Sequence, residues 1–151
     1  MTAHLARALA AAVAVLVVLV GTPVPAQASA ATDYANAAFR ATNARRAAHD
    51  LRQLTRGDCL QDFARRQARR MANQQRMFHQ DLGRVMSTCN LVAAGENVAY
   101  GYSSGRATVR AWMHSRGHRA NILSRSYRGM GLAARKSNGV WYVAQVFGKH
   151  A

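Results

Sequence analysis

The chain has 151 residues, with 21 Lys and Arg against 6 Asp and Glu, a formal charge of +15. That length holds one domain, and no internal repeat or low-complexity linker divides it. A charge this basic predicts attraction to anionic polymers or membranes and speaks to association rather than fold.

The first thirty residues read as a secretory leader. Arg7 supplies a positive start, Ala8 to Val20 is an apolar run too short to span a bilayer comfortably, and Gly21, Pro23 and Pro25 break it. Ala28-Ser29-Ala30 is a small-residue cleavage signal, so residues 1–30 are expected to be a signal peptide and 31–151 one exported domain; an uncleaved N-terminal anchor is the alternative. Cleavage removes both prolines and one arginine, leaving +14. No later stretch approaches membrane length. Export argues against nucleic acid and for anionic lipid head groups or envelope polymers as partners, although a solvated arginine surface gives the same composition.

Thr32 or Asp33 is placed to cap a first helix running to about Leu51. Asp58 and Gln61 have capping-box spacing for a second, in which Leu60, Phe63, Ala64, Ala68, Met71 and Ala72 recur at core-facing intervals. Arg65, Arg66, Arg69 and Arg70 take its other face, as a solvated surface or an anion patch. Cys59 and Cys89, an even count in an exported chain, predict a disulfide; a Cys/Cys/His metal site competes but matches no zinc-finger spacing. Residues 76–95 lack periodicity and read as a long ordered loop pinned by that disulfide. Ser103, Ser104 and Gly105 open a third helix through about Ser115, with Thr108, Trp112 and Ser115 on one face; Gly117 ends it, and 118–123 make a further short helical turn.

Near the C-terminus the period changes. Gly129–Arg135 and Val140–Phe147 read as strands joined by Asn138-Gly139, a strong hairpin signal. The last strand is apolar on both faces and must be covered on both. The fold expected is α/β: a three-layer α/β/α sandwich with a small, mainly antiparallel sheet.

Glu96 is the one glutamate of the chain, framed by His79 and His118. Two imidazoles and a carboxylate are the ligand set of many open zinc sites and also the parts for general acid–base work.

Met77-Phe78-His79, GENVAYG at 95–101, Trp112-x-x-Ser115-x-Gly117-His118-Arg119-x-Asn121-Ile122-Leu123 and Trp141-Tyr142-x-x-Gln145-x-Phe147-Gly148, in that order, resemble the bacterial branch of the CAP superfamily (SCP/TAPS: cysteine-rich secretory proteins, antigen 5, plant pathogenesis-related 1). Asn43-x-x-Arg46 is similar to a further family element, and the similarity spans about residues 34–148. The resemblance implies the same sandwich and a central cavity whose usual tetrad, in eukaryotic members two histidines and two glutamates, can hold a divalent metal such as zinc. Carried over, His79 matches the first histidine and Glu96 the first glutamate. Ser115 stands at the second glutamate and Tyr142 at the second histidine, and His118 offers a replacement imidazole.

The expectation is therefore that His79, Glu96 and His118 share one cleft, as metal ligands or catalytic groups, with Ser115, Tyr142, Gln145 and Asn97 lining it. Each has a structural alternative: Glu96 bonding backbone N–H groups, His79 partly buried, His118 capping a helix end, Asn97 and Gln145 satisfying buried backbone. Ser115 with His118 also invites a serine-hydrolase reading, but no nucleophile elbow surrounds Ser115. The function expected is a secreted, monomeric, non-enzymatic binding module. Its alternatives are a metal-dependent hydrolase or peptidase using His79, Glu96 and His118, and a cationic envelope-active protein.

Overall fold

The structure, a computed structural model, describes residues 26–151; residues 1–25 of the expected leader lie outside them. The elements in order are α1 (Ala26–Ala47), β1 (Thr55–Arg56), α2 (Asp58–Gln74), α3 (Leu82–Thr88), β2 (Leu91–Tyr100), α4 (Gly105–His114), α5 (Arg116–Ile122), β3 (Gly129–Ser137) and β4 (Val140–His150). The strands form one sheet in the order β1-β3-β4-β2, antiparallel except for the short β1–β3 pair. Among the described residues no helix is long and apolar enough to cross a membrane.

Strand parity builds the three layers. Tyr142, Ala144 and Val146 of β4 pack against Leu60, Phe63, Ala64, Ala68 and Met71 of α2 and Val85 of α3. Val143 and Phe147 face the opposite way, into Tyr34 and Ala38 of α1, Trp112 of α4 and Ile122 of α5. All of these side chains are buried, which is why β4 is apolar on both faces. The β3–β4 turn is Asn138-Gly139 with φ of 47° and 79°, the doubly left-handed turn whose twist suits a hairpin.

Several local expectations are corrected. Thr32 and Asp33 lie inside α1, where the Thr32 hydroxyl donates to the Ala28 carbonyl; cleavage after Ala30 would leave these residues in the first turn. The helix also stops at Ala47, before Leu51, in a turn with Asp50 at φ 54°. The α2 cap is Gly57, without a side-chain bond. Gln61 instead clasps β3: its Nε2 donates to the Leu132 carbonyl at 2.9 Å and its Oε1 accepts the Leu132 N–H at 3.1 Å. The amide dipole thus occupies the place of a strand residue beyond the end of β1. The span 76–95 is not one loop, since α3 and half of β2 fall inside it. The break after α4 is at Ser115, whose extended backbone (φ −100°, ψ 123°) ends one helix and starts the next, and Gly117 sits within α5.

Cys59 in the first turn of α2 and Cys89 at the end of α3 are bonded, across 30 residues. By chain entropy such a loop contributes roughly 3–4 kcal/mol. It fixes α3 beside α2 and so frames the segment that carries His79.

Candidate functional site

Glu96 lies on β2 opposite Val146, on the sheet face covered by α2 and α3. Its side chain is 1% exposed. Burying a carboxylate without partners is costly, and three donors meet this one. His79 Nδ1 lies 2.7 Å from Oε1, the Gln80 N–H donates to the same oxygen at 3.1 Å, and the Gln80 side-chain amide donates to Oε2. Gln67 of α2 donates to the Phe78 carbonyl and holds this segment down. His79 itself is 59% exposed. The pair is thus an open imidazole seated on a sealed carboxylate.

The residues beside Glu96 face the other layer. Gly95 is required there: a Cβ would stand 2.4 Å from the Tyr127 hydroxyl oxygen. Asn97 donates to Gln145 Oε1 at 3.0 Å and to the His118 carbonyl at 3.2 Å, and accepts from Asn121 Nδ2 at 2.9 Å. Gln145 Nε2 continues to the Thr42 hydroxyl at 2.8 Å. This buried chain of amides ties α1, β2, β4 and α5 together and sets the position of His118. Three outer carbonyls of β2, the edge strand, are each met by a side-chain donor: Ala94 by the Tyr127 hydroxyl, Glu96 by Asn121 Nδ2 and Val98 by Trp112 Nε1.

His79 borders a cavity of about 770 Å³ between α2 and α3. His118 borders another of about 230 Å³ on the outer side of β2, with Trp112 and Ser115 in its wall and Met77, Tyr100 and Tyr102 as exposed apolar groups around it.

Residues 39–147 match the model of the cysteine-rich secretory protein family. The chain belongs to the CAP family. Over 136 residues it is 30% identical to YkwD of Bacillus subtilis (strain 168), spanning 85% of this chain and 51% of YkwD. The fold is similar to that of an extracellular SCP-domain protein of Bacillus anthracis (TM-score 0.74, 25% identity, 85% of this chain and 45% of that one). It also resembles that of an outer surface protein of Borrelia burgdorferi (TM-score 0.68, 19% identity, 75% and 90%). The chain thus spans about half the length of YkwD and of the B. anthracis protein.

The CAP sheet brings His79 and Glu96 into direct contact. His118 stands apart from that pair, close enough for the charge of His79 to act on it. Asn97 and Gln145 do not line the cleft: residue parity on β2 and β4 turns them toward α1 and α5, where the amide chain consumes them. Tyr142 is 5% exposed and stacks under exposed Tyr100 at 6.1 Å, so it is core. Ser115 lines the smaller cavity. Among the described residues no three His, Cys, Asp or Glu side chains gather as a ligand group. The donor set does not fit the metal of the family tetrad: both Glu96 oxygens are occupied, and Ser115 and Tyr142 replace two ligands. Gln80 is a site residue that no motif of the sequence marks; its one signal is its place directly after His79.

Burial, and then the charge of His79, hold the His118 imidazole below the ordinary histidine value of 6.5. His118 therefore stays neutral in the folded chain at pH values where the unfolded chain has already bound a proton. Its contribution to stability is complete above the unfolded value and declines as pH falls through it. The urea midpoint should drop between about pH 7.5 and about pH 5.5, and His118→Gln should flatten that drop. Identical slopes in both proteins would remove His118 from the acid-sensitive groups.

Proposed function

We propose that this CAP domain is an exported, metal-independent binding module. The observation that carries the reading is the state of Glu96. Its carboxylate is 1% exposed and both its oxygens are engaged by His79 and Gln80, so it is not presented to a metal or a substrate proton. Its work is to fix the His79–Gln80 segment as a wall of the larger cavity. The leader-like first thirty residues support export, as do the descriptions of the B. anthracis relative as extracellular and of the B. burgdorferi relative as an outer surface protein.

A second reading, a hydrolase using His79, Glu96 and His118, is favoured by one observation. An exposed imidazole oriented by a buried carboxylate is the arrangement of a general base. Calorimetric zinc titration near pH 7.5 separates the two. No saturable uptake is expected. One-site uptake in the wild type that His79→Ala abolishes would return the metal to the site and favour the hydrolase.

A further inference from the structure

We propose that the cleft between α2 and α3 binds the phosphate groups of a linear, phosphate-bearing polymer. The inference deepens the binding-module reading and rests on it.

Arg66 and Arg70 stand one turn apart on α2, and Arg84 faces them from α3 across a cavity of about 770 Å³. Three guanidiniums meet a single carboxylate in this wall, that of Asp81. Asp81 is itself committed to the Arg84 backbone N–H as the cap of α3. None of the three guanidiniums has a hydrogen bond or ion pair with the described residues. They are nonetheless braced: Arg66 lies 4.3 Å over the Phe63 ring and Arg70 5.3 Å over Phe78. An aromatic face under a guanidinium fixes its plane and leaves its N–H groups free at the rim. Holding donors in place before the ligand arrives lowers the cost of binding.

Geometry selects the ligand. A carboxylate is planar and is satisfied by one fork of a single guanidinium. A tetrahedral phosphate presents oxygens to both walls at once and suits donors converging from two helices. The arginines also sit inside a concavity, which a bilayer surface does not enter but a polymer chain or a single phosphate does. Arg69, on the exposed face of α2 beside Arg66 and Arg70, adds positive charge for neighbouring phosphates of the same chain.

The test is fluorescence anisotropy of end-labelled linear polyphosphate with the full chain, at about 0.15 M salt to suppress diffuse attraction. Saturable binding is expected. The triple variant Arg66→Gln, Arg70→Gln, Arg84→Gln should weaken it about tenfold or more, through loss of charge-assisted hydrogen bonds. A control with equal charge loss on exposed sites elsewhere, Arg52→Gln, Arg116→Gln, Arg125→Gln, should weaken it by about threefold at most. Thermal midpoints of both verify folding, and Arg84→Gln alone repeats the comparison if the triple variant is unstable. Equal weakening by the two triples would overturn the proposal. So would equal competition by polyglutamate, or binding to phosphatidylcholine–phosphatidylglycerol vesicles with none to polyphosphate. Zinc uptake at His79 would overturn the metal-independent reading without altering these comparisons, so the two failures are distinguishable.

Discussion

Gly131→Ala is expected to cost roughly 3 kcal/mol or more, or to prevent folding, as a backbone clash has no rotamer escape. A Cβ on Gly131 would stand 2.2 Å from the carbonyl carbon and oxygen of Leu60 and 2.4 Å from the Gln61 nitrogen. The first turn of α2 therefore lies directly on the backbone of β3. The Gln61 clasp on Leu132 holds it there, so the helix cannot lift from β3 without losing both of those bonds. Gly117→Ala is the matched control. It lies within α5, with nothing within 4 Å of the added carbon, and should be neutral or stabilise by about 0.5 kcal/mol through helix propensity. Urea unfolding at constant m-value reads both. A Gly131→Ala midpoint close to wild type would mean that α2 and β3 are not in backbone contact.

Arg46→Met should cost about 2–4 kcal/mol. Arg46 is 1% exposed, yet its guanidinium reaches three carbonyls: Nε to Arg52 and Nη1 to Ile122 and Ser124, each at 2.8 Å. Two of these close the C-terminal end of α5, where a cation is favoured and carbonyls lack helical partners. Methionine keeps much of the volume and abandons all three acceptors. Arg46→Lys keeps the charge but not the fork, and should fall between the two. A Met variant as stable as wild type would show that water satisfies those carbonyls as well as the guanidinium does. Asn43, one turn earlier, bonds the Leu54 N–H and carbonyl at 2.9 and 3.0 Å. The Asn43-x-x-Arg46 pattern is thus a fastener for the 51–54 segment and the end of α5.

What is legible in the sequence is what repeats or punctuates. The α2 stripe repeats, Asn138-Gly139 marks a turn, and an even pair of cysteines behind a leader-like segment predicts a bond. Seven-residue α3 is too short for periodicity to register; its one local signal is Asp81, whose side chain accepts the Arg84 N–H as the cap. Strand β2 is hidden because Gly95, Glu96 and Asn97 interrupt its apolar character. They are placed by close approach and hydrogen bonding, which no hydropathy pattern encodes. Gln61 has the right spacing for a capping box, but a side-chain amide serves a neighbouring strand equally well. At the site, the single glutamate of the sequence, Glu96, is the residue that His79 contacts. Asn97, Gln145 and Tyr142 cannot be sorted from the cleft by sequence alone, because the face a strand residue takes depends on sheet register, and register is a non-local property.

The side-chain donors along the outer rim of β2 have a consequence for recognition. An extended peptide joins a sheet by bonding to free backbone groups on its edge strand. Here Tyr127, Asn121 and Trp112 already occupy the carbonyls of Ala94, Glu96 and Val98, so that route is closed to a guest strand along the centre of β2. The same occupancy blocks the centre of this edge to a second copy of the domain, edge-to-edge stacking being a common beginning of fibril growth. A protein partner at this rim must instead read side chains, and the exposed ones it meets first are Met77, Tyr100 and Tyr102.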